Sequence, residues 1–463
     1  MALSEQEKIA HLLRRFGLGA SESELEYYGS GGFEGAISKL LDLGVEDDFG
    51  MTLEDFAPKK GVAKPKSAQI MWALRMCSTR KPLQEKMTLF WHNHFATAVS
   101  KVDVAPAIAR QNDILRENCL GTFRSLLMSV SKDPAMLYWL DNQFNVKGKP
   151  NENFAREVME LFTLGIGNYS EKDVQEAARA FTGWTYGVGR RVIDKPRGPS
   201  KFQFREELHD AGKKTVLGNT GAFDGDDVCG ILVGHPATAE FITKKMWEWF
   251  AYPKPEPELI KRLAGGFRES GLNIKVLVRS IMTAPEFYSE KCVGRQFKNP
   301  VDFCVVTYRQ LGMGRRIFDL VKQATNNEQA VGKLGAAQPI NLLVTAMTAM
   351  GMEILNPPDV SGWSVGPAWV SSATMVERIK WADTLFGRGR YPVVDLLGDG
   401  ATGKQAASAL CSIFDVRYKP DKIDQLARAA DTVCKGSINA RNANASAVAV
   451  CRLIFGSPEF QFC

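Results

Sequence analysis

Apolar residues recur along this chain at the three- and four-residue spacing of amphipathic helices, and capping signals frame many of these segments. Ser4 with Glu7 forms a capping box, which predicts a helix over 5–16 that ends at Gly17. A second box of the same form begins at Ser21. The pattern therefore predicts a chain built mainly from helices joined by short turns.

Further helices are predicted by the same periodicity and by Pro, Ser, Asp and Gly residues at their ends. They are expected over 33–43, 68–97 with a break near Pro82, 104–129, 152–164, 236–250, 257–269 and 273–283. Three more are expected to begin at residues 134, 171 and 226.

The segment 182–218 has a different pattern, because aromatic and polar residues alternate there between Gly and Pro clusters. Trp184, Tyr186, Phe202 and Phe204 carry this alternation. We therefore expect an all-α, multi-helix protein with one small β-hairpin insertion near 182–218.

An internal similarity suggests two lobes. Residues 279–287 and 452–460 both read as a helix end followed by Pro-Glu-Phe. We place a soft boundary after residue 295, which gives a main helical lobe over 1–295 with the candidate site and a C-terminal helical lobe over 296–463. One continuous domain is the alternative.

The composition is that of an ordinary globular protein, with 463 residues, 24% of them charged, and a formal net charge of +6. Lys59, Lys60, Lys64 and Lys66 form a short basic cluster interrupted by Gly and Pro. Nucleic-acid binders concentrate positive charge on a longer stripe, so a solvated linker is favoured over a nucleic-acid patch. We expect no nucleic-acid partner.

The nine cysteines are far apart and form no Cys-x-x-Cys pair, which favours a reducing compartment. The first helix is polar, and the chain has no long uninterrupted apolar run. The sequence as written therefore predicts a soluble, cytoplasmic protein without a membrane span.

Seven blocks, taken in order, resemble the DUF1800 family of bacterial proteins, and the resemblance covers roughly residues 8–460. They are His11–Gly19, Phe90–Phe95, Asn151–Glu157, Phe181–Trp184, His209–Asp210, His235–Thr238 and Pro357–Trp363. The function of this family is not established. The resemblance implies that many members are exported, which this chain does not match. It also implies a gene for a sulfatase- or alkaline-phosphatase-like protein nearby.

All five histidines lie inside these blocks. His92 and His94 are two residues apart, so on a continuous helix their side chains point in different directions, whereas on a frayed end they can converge. Imidazole transfers protons near neutral pH and binds metals, so the pair is a candidate for ligands or acid/base groups. The alternative is that each ring caps a helix or bonds to a buried carbonyl.

The polar side of the helix 152–164 is a second candidate. Glu157 and Glu160 are three residues apart and can present two carboxylates to one point, with Arg156 beside them. Asn153 lies on the same side. An ordinary solvated face, with Glu152 and Arg156 as an i,i+4 pair, explains the same pattern.

Three further features are candidates for binding. The oxygen-rich loop that runs up to Asn151 and Glu152 can hold a hard cation, although a plain turn explains it as well. His209 and Asp210 can face a shared cleft, or Asp210 can cap a local turn. Trp184 can stack on a sugar, or it can pack in the core.

These residues support two functional hypotheses. In the first, the protein is a metal-assisted or hydrolase-like enzyme with His92, His94 and His209 as ligands or acid/base groups. Glu157 and Asp210 would then act as general base or additional ligands, and Arg156 would neutralise an anionic group. A divalent metal is the only cofactor that they suggest. In the second, the protein is a non-catalytic binding or scaffold protein that assists a phosphatase- or sulfatase-like partner.

Overall fold

The structure is a computed structural model that describes residues 3–46, 48–58, 61–188, 191–197, 200–326, 333–387 and 393–463. Helices make up most of it. In the first part of the chain they are α1 Glu5–Phe16, α2 Glu22–Gly29, α3 Gly32–Leu41, α4 Pro65–Ser78, α5 Pro82–His94, α6 Ala105–Glu117, α7 Phe123–Ser131, α8 Pro134–Trp139, α9 Glu152–Glu157, α10 Glu171–Ala180, α11 Gly225–Gly234, α12 Pro236–Phe250, α13 Pro257–Glu269 and α14 Ile274–Thr283.

The remaining helices form the C-terminal part. They are α15 Pro300–Gln310, α16 Met313–Asn326, α17 Lys333–Ala336, α18 Gln338–Ala349, α19 Ser372–Phe386, α20 Val393–Leu397, α21 Gly403–Ile413, α22 Pro420–Cys434, α23 Ala443–Gly456 and α24 Pro458–Gln461.

The helix ends follow the capping residues. The Ser4 hydroxyl accepts from the Glu7 amide and the Glu7 carboxylate accepts from the Ser4 amide, so α1 begins and ends where the sequence predicts. Asp133 likewise accepts from the Met136 amide, with Pro134 in the first turn of α8. The all-α prediction is confirmed.

The single helix predicted over 104–129 is wrong, because the structure divides it into α6 and α7. The break lies at Gly121 and Thr122, where the Thr122 hydroxyl accepts from the Ser125 amide and starts α7. The main chain of the break pairs with the start of α14, since Gly121 O accepts from the Ile274 amide at 2.9 Å. A tertiary contact thus overrides the continuous apolar pattern.

The strands of the described residues lie within the predicted insertion 182–218 or directly after it. Strands β1 Trp184–Val188, β2 Arg191–Val192 and β3 Lys201–Phe204 form an antiparallel sheet in the order β2-β1-β3. Strands β4 Lys214–Val216 and β5 Asn219–Gly221 form a separate hairpin. The predicted insertion is confirmed, with two small sheets in place of one hairpin.

Residues on both sides of position 295 pack together, while the two-lobe division itself stays a prediction. Helix α4 contacts α15, α16 and α18. Arg14 in α1 forms an ion pair with Asp415, with Nε 2.5 Å from Oδ2 and Nη2 2.8 Å from Oδ1. The first helix is therefore held by residues from the far end of the sequence.

The nine cysteines are all free and buried. Within the described ranges, no helix has both the length and the apolar character needed to cross a membrane.

Candidate functional site

His94 is the last residue of α5, and its ring bonds to the main chain of another helix. Its Nε2 lies 3.1 Å from Phe162 O. A carbonyl oxygen only accepts, so Nε2 carries the hydrogen. The side chain is 1% exposed, and burial, with Lys245 nearby, holds its pKa well below the usual value. His94 is therefore a neutral donor to the last turn of a helix, where carbonyls lack partners within the helix.

His92 points elsewhere, as two residues of spacing on a continuous helix require. Its ring lies 5.5 Å from the Trp72 ring and 5.4 Å from the Trp363 ring, both measured between centroids. Burial lowers its pKa to about 3. Its Nε2 atom is buried without a hydrogen-bond partner. His92 is thus neutral and enclosed by aromatic side chains.

The predicted helix 152–164 changes its winding in the middle. Residues 152–157 are α-helical, and Val158–Thr163 form a π-helical turn. The Thr163 hydroxyl donates to Val158 O at 2.6 Å, which satisfies one carbonyl of the widened turn. Turns of this type often occur at functional sites, so this segment merits tests.

The carboxylates of Glu157 and Glu160 lie in different surroundings. Glu160 accepts a hydrogen bond from the Tyr169 hydroxyl. Glu157 is half-buried, and desolvation together with the charge of Glu160 raises its pKa. Glu157 therefore has the environment of a weakened acid.

Arg156 is occupied by two carboxylates. Its Nη2 lies 3.1 Å from Glu152 Oε2 and 2.7 Å from Glu171 Oε2. The i,i+4 pair is the one expected for a solvated helix face. Glu171 and Glu152 together satisfy the guanidinium, which weakens its proposed role of neutralising a bound anion.

The amides of the loop before α9 are used within the fold. Asn151 accepts from the Asn153 amide at 3.0 Å, which caps α9. The Asn151 side chain donates to Asp141 O at 3.3 Å, and the Asn153 side chain donates to Leu140 O at 3.0 Å. These contacts are those of a tight turn.

His209 and Asp210 are held by the Phe181–Trp184 block. His209 Nδ1 lies 3.0 Å from Thr182 O, so Nδ1 carries the hydrogen. Asp210 accepts from Arg179 at 2.8 Å and 3.2 Å. The bonds from Arg179 lower the pKa of Asp210 to about 2, which makes it a poor general base.

The glycine of the Phe181–Trp184 block is explained by a close approach of the Arg205 main chain. Gly183 has φ +82°, and a Cβ there would lie 2.5 Å from Arg205 O. Trp184 is 2% exposed, and its ring packs on Phe181 and Phe202. Its faces are thus used in the core and not offered to a sugar.

The candidate residues contact three different parts of the fold. His94 contacts the π-helical turn, His92 contacts Trp363, and His209 contacts the end of α10. Across the described ranges, no cluster of three or more His, Cys, Asp or Glu side chains is arranged to hold a metal ion. The divalent-metal hypothesis gains no support from these residues.

One contact between blocks was missed by sequence reasoning. The Asn93 side chain, between the two histidines, accepts a hydrogen bond from the Trp363 amide at 2.6 Å. Asn93 is 8% exposed. The sequence signal for a role of Asn93 was its position between the two histidines of one block. No local pattern indicates that its partner lies 270 residues away.

The fold and these contacts define a class of helical protein in which residues of the seven sequence blocks link helices and loops that are distant along the chain. The model of the family described as protein of unknown function (DUF1800) matches residues 11–462, so the chain belongs to that family. No curated protein and no solved structure matches it.

Proposed function

We propose that this protein is a non-catalytic binding protein that assists another protein. One observation carries the proposal: imidazoles of three blocks each bond to a main-chain carbonyl of another segment. His11 bonds to Phe287 O at 3.0 Å, His94 to Phe162 O and His209 to Thr182 O. These rings act as fixed donors within the fold.

The energetics favour such a role. A buried carbonyl without a partner costs about 1–3 kcal/mol, and a neutral imidazole N–H removes that cost. Burial lowers the pKa of His11 and His94 well below the usual value, which keeps both rings neutral at physiological pH. A ring that must remain neutral and bonded to the main chain is poorly suited to shuttle protons.

A surface groove next to the π-helical turn is the best candidate for binding a partner. We call it the Ile166 groove; it is lined by Leu164, Gly165, Ile166, Asn168, Ala237, Glu240, Phe241, Lys244, Pro255, Pro257, Ile260 and Lys261. Ile166 is 81% exposed, which is unusual for a large apolar side chain. Its loop packs closely on Phe241, because a Cβ at Gly165 would lie 2.9 Å from the Phe241 ring.

The chemistry of the groove fits a folded protein that presents an apolar side chain flanked by carboxylates. Ile166 and Phe241 supply apolar surface, and the exposed Lys244 supplies positive charge, whereas Lys261 is paired with Glu258 at 3.2 Å. The family resemblance supplies the partner class, a phosphatase- or sulfatase-like protein encoded nearby.

Co-expression with that protein tests the proposal. Size-exclusion chromatography with light scattering should detect a stable complex with the wild-type chain. Ile166→Glu should weaken the complex at least tenfold, because it places a charge in the apolar centre of the interface. Val276→Glu is the matched control, since Val276 is a 39% exposed valine outside the groove. Absence of a wild-type complex, or equal effects of both variants, would contradict the proposal.

The enzyme hypothesis retains one specific observation in its favour. Glu157 is half-buried with a raised pKa, which is the usual environment of a general acid. Hydrolysis of phosphate and sulfate monoesters by the purified protein, lost in Glu157→Gln with an unchanged melting temperature, would establish the enzyme and exclude a purely non-catalytic role.

A further inference from the structure

A pocket between α2 and the link from α4 to α5 is open to solvent and large enough for a small molecule. We call it the Tyr28 pocket; its walls include Tyr27, Tyr28, Val45, Arg80, Pro82 and Arg309. Its volume is about 430 Å³, which lies within the usual range for small-molecule sites. Its lining residues lie outside the seven family blocks.

Helix α2 supplies an aromatic wall. Tyr27 and Tyr28 pack edge to face, with their ring centres 5.0 Å apart. Lys39 Nζ lies 4.7 Å from the centre of the Tyr27 ring and donates to Ser30 Oγ at 2.6 Å, which holds the ring in place. Tyr27 nevertheless remains 56% exposed, so more than half of this residue is available for contact with a ligand.

The Tyr28 hydroxyl is a donor without a partner. Tyr28 is 5% exposed and lines the pocket, and its hydroxyl forms no hydrogen bond with the described residues. Burial raises the pKa of Tyr28, so the hydroxyl keeps its hydrogen at neutral pH. The hydroxyl differs from fully enclosed polar atoms such as His92 Nε2, because it keeps some accessible surface. A ligand in the pocket can therefore reach a donor that the fold leaves unused.

The charges at the pocket leave one cation in excess. Glu24 and Arg309 neutralise each other, with Arg309 Nη2 2.8 Å from Glu24 Oε1. Arg80 lies 3.8 Å from Asp48, too far for a hydrogen bond, and Arg315 binds Asp48 more closely at 2.5 Å. The Arg80 side chain is 60% exposed and donates no hydrogen bond within the described ranges, so its donors are available to an anion.

We propose that the Tyr28 pocket binds a small organic acid that carries an apolar ring or branched chain. The carboxylate binds Arg80, because a guanidinium matches a planar carboxylate with two parallel N–H donors. The apolar part packs on Tyr27 and Pro82, and the Tyr28 hydroxyl donates to the same ligand. This inference is independent of the proposed role in assisting another protein.

Isothermal titration calorimetry of the full-length protein with 3-phenylpropionate tests the proposal. The expected Kd is on the order of 1 mM or lower, which is ordinary for a ligand of this size. The neutral 3-phenylpropanamide and the ringless acetate should each bind about fivefold more weakly or worse, because each lacks one of the two anchors. Absence of binding by 3-phenylpropionate, or equal affinity for either of the other two compounds, would overturn the proposal.

An acetylated tripeptide with phenylalanine at its C-terminus distinguishes two sources of the same chemistry. It carries a carboxylate and a ring at the end of a chain. Tighter binding than that of 3-phenylpropionate would identify a peptide C-terminus as the ligand, whereas weaker binding would identify a free acid.

Two variants test the assignment of residues. Arg80→Gln removes a charge from an exposed position and should weaken binding of 3-phenylpropionate by about fivefold or more. Tyr28→Phe keeps the buried ring, removes only the hydroxyl and should weaken binding by about threefold. Arg452→Gln is the control, because it removes the same charge from a 53% exposed side chain outside the pocket. An unchanged Kd in either pocket variant, or equal losses in Arg80→Gln and Arg452→Gln, would contradict the assignment.

Discussion

Asn93 and Trp363 are joined by a hydrogen bond of 2.6 Å between the Asn93 side-chain oxygen and the Trp363 amide. The bond links the end of α5 to the segment before α19. The Trp363 ring also packs at 5.4 Å on His92. Two family blocks that are distant in sequence thus form one buried contact.

Gly362 makes this contact possible, and its replacement should be costly. It has φ +86°, and a Cβ there would lie 2.4 Å from both Asn93 O and Asn93 Oδ1. Gly362→Ala should lower the free energy of unfolding by about 2–5 kcal/mol in urea denaturation, through backbone strain and overlap. Gly366→Ala is the control, because Gly366 has φ +74° and no neighbour within 4 Å of a built Cβ. Equal losses in both variants would refute the role of the Asn93 contact.

The His94 bond predicts different effects for two substitutions. His94→Gln can place an amide donor near the position of Nε2 and should retain most of the stability. His94→Leu leaves Phe162 O without its donor and should cost about 1–3 kcal/mol more, measured by urea denaturation. A glutamine variant as unstable as the leucine variant would argue against the bond to Phe162 as the main role of His94.

Three buried histidines predict a loss of stability in acid. Burial lowers the pKa of His11, His92 and His94 below the value of 6.5 for an ordinary histidine. The unfolded chain therefore binds protons first. Their contribution to stability is complete above pH 6.5 and is lost as the pH falls toward the folded values, by up to about 1.4 kcal/mol per pH unit for each ring. Urea denaturation between pH 7.5 and 4.5 measures how steeply the free energy of unfolding falls as the pH is lowered. His92→Asn should reduce this slope by the contribution of one proton, and a slope equal to that of the wild type would contradict the prediction.

Asp133 predicts a trend of the opposite sign. It is 2% exposed, and burial raises its pKa to about 7 from an ordinary 3.8. The folded state therefore holds this proton more tightly, and the corresponding stability is lost as the pH rises from 3.8 to about 7. Asp133→Asn should raise the free energy of unfolding by roughly 1–3 kcal/mol relative to wild type between pH 5 and 8. The Gln111 amide then turns to present its oxygen to the Asn side chain.

Asp210→Asn is the matched control for Asp133→Asn. Its pKa is lowered to about 2 by Arg179, so Asp210 is ionised in both states throughout pH 5–8. Its difference from wild type should stay constant over that range. A pH-independent Asp133→Asn difference would contradict the proposed titration.

Local chemistry accounts for what the sequence could predict. The capping box at Ser4 and the Pro134 start of α8 depend on residues within one turn, and both were predicted correctly. The break at Thr122 was not predicted, because a contact with α14 decides it. The environment of His94 was also open, because it depends on a carbonyl 68 residues away.

The ion pair between Arg14 and Asp415 has a consequence for biosynthesis. The first helix leaves the ribosome long before residue 415 has been made, and translation of 400 residues takes about 20–80 s. During that interval α1 can pack on α2, α3 and α5, but Arg14 lacks its ion-pair partner and that end of the helix is open to chaperones or to unwanted association. Slow codons or a holdase acting on the nascent chain should therefore affect the yield of this protein more than that of a chain with local contacts.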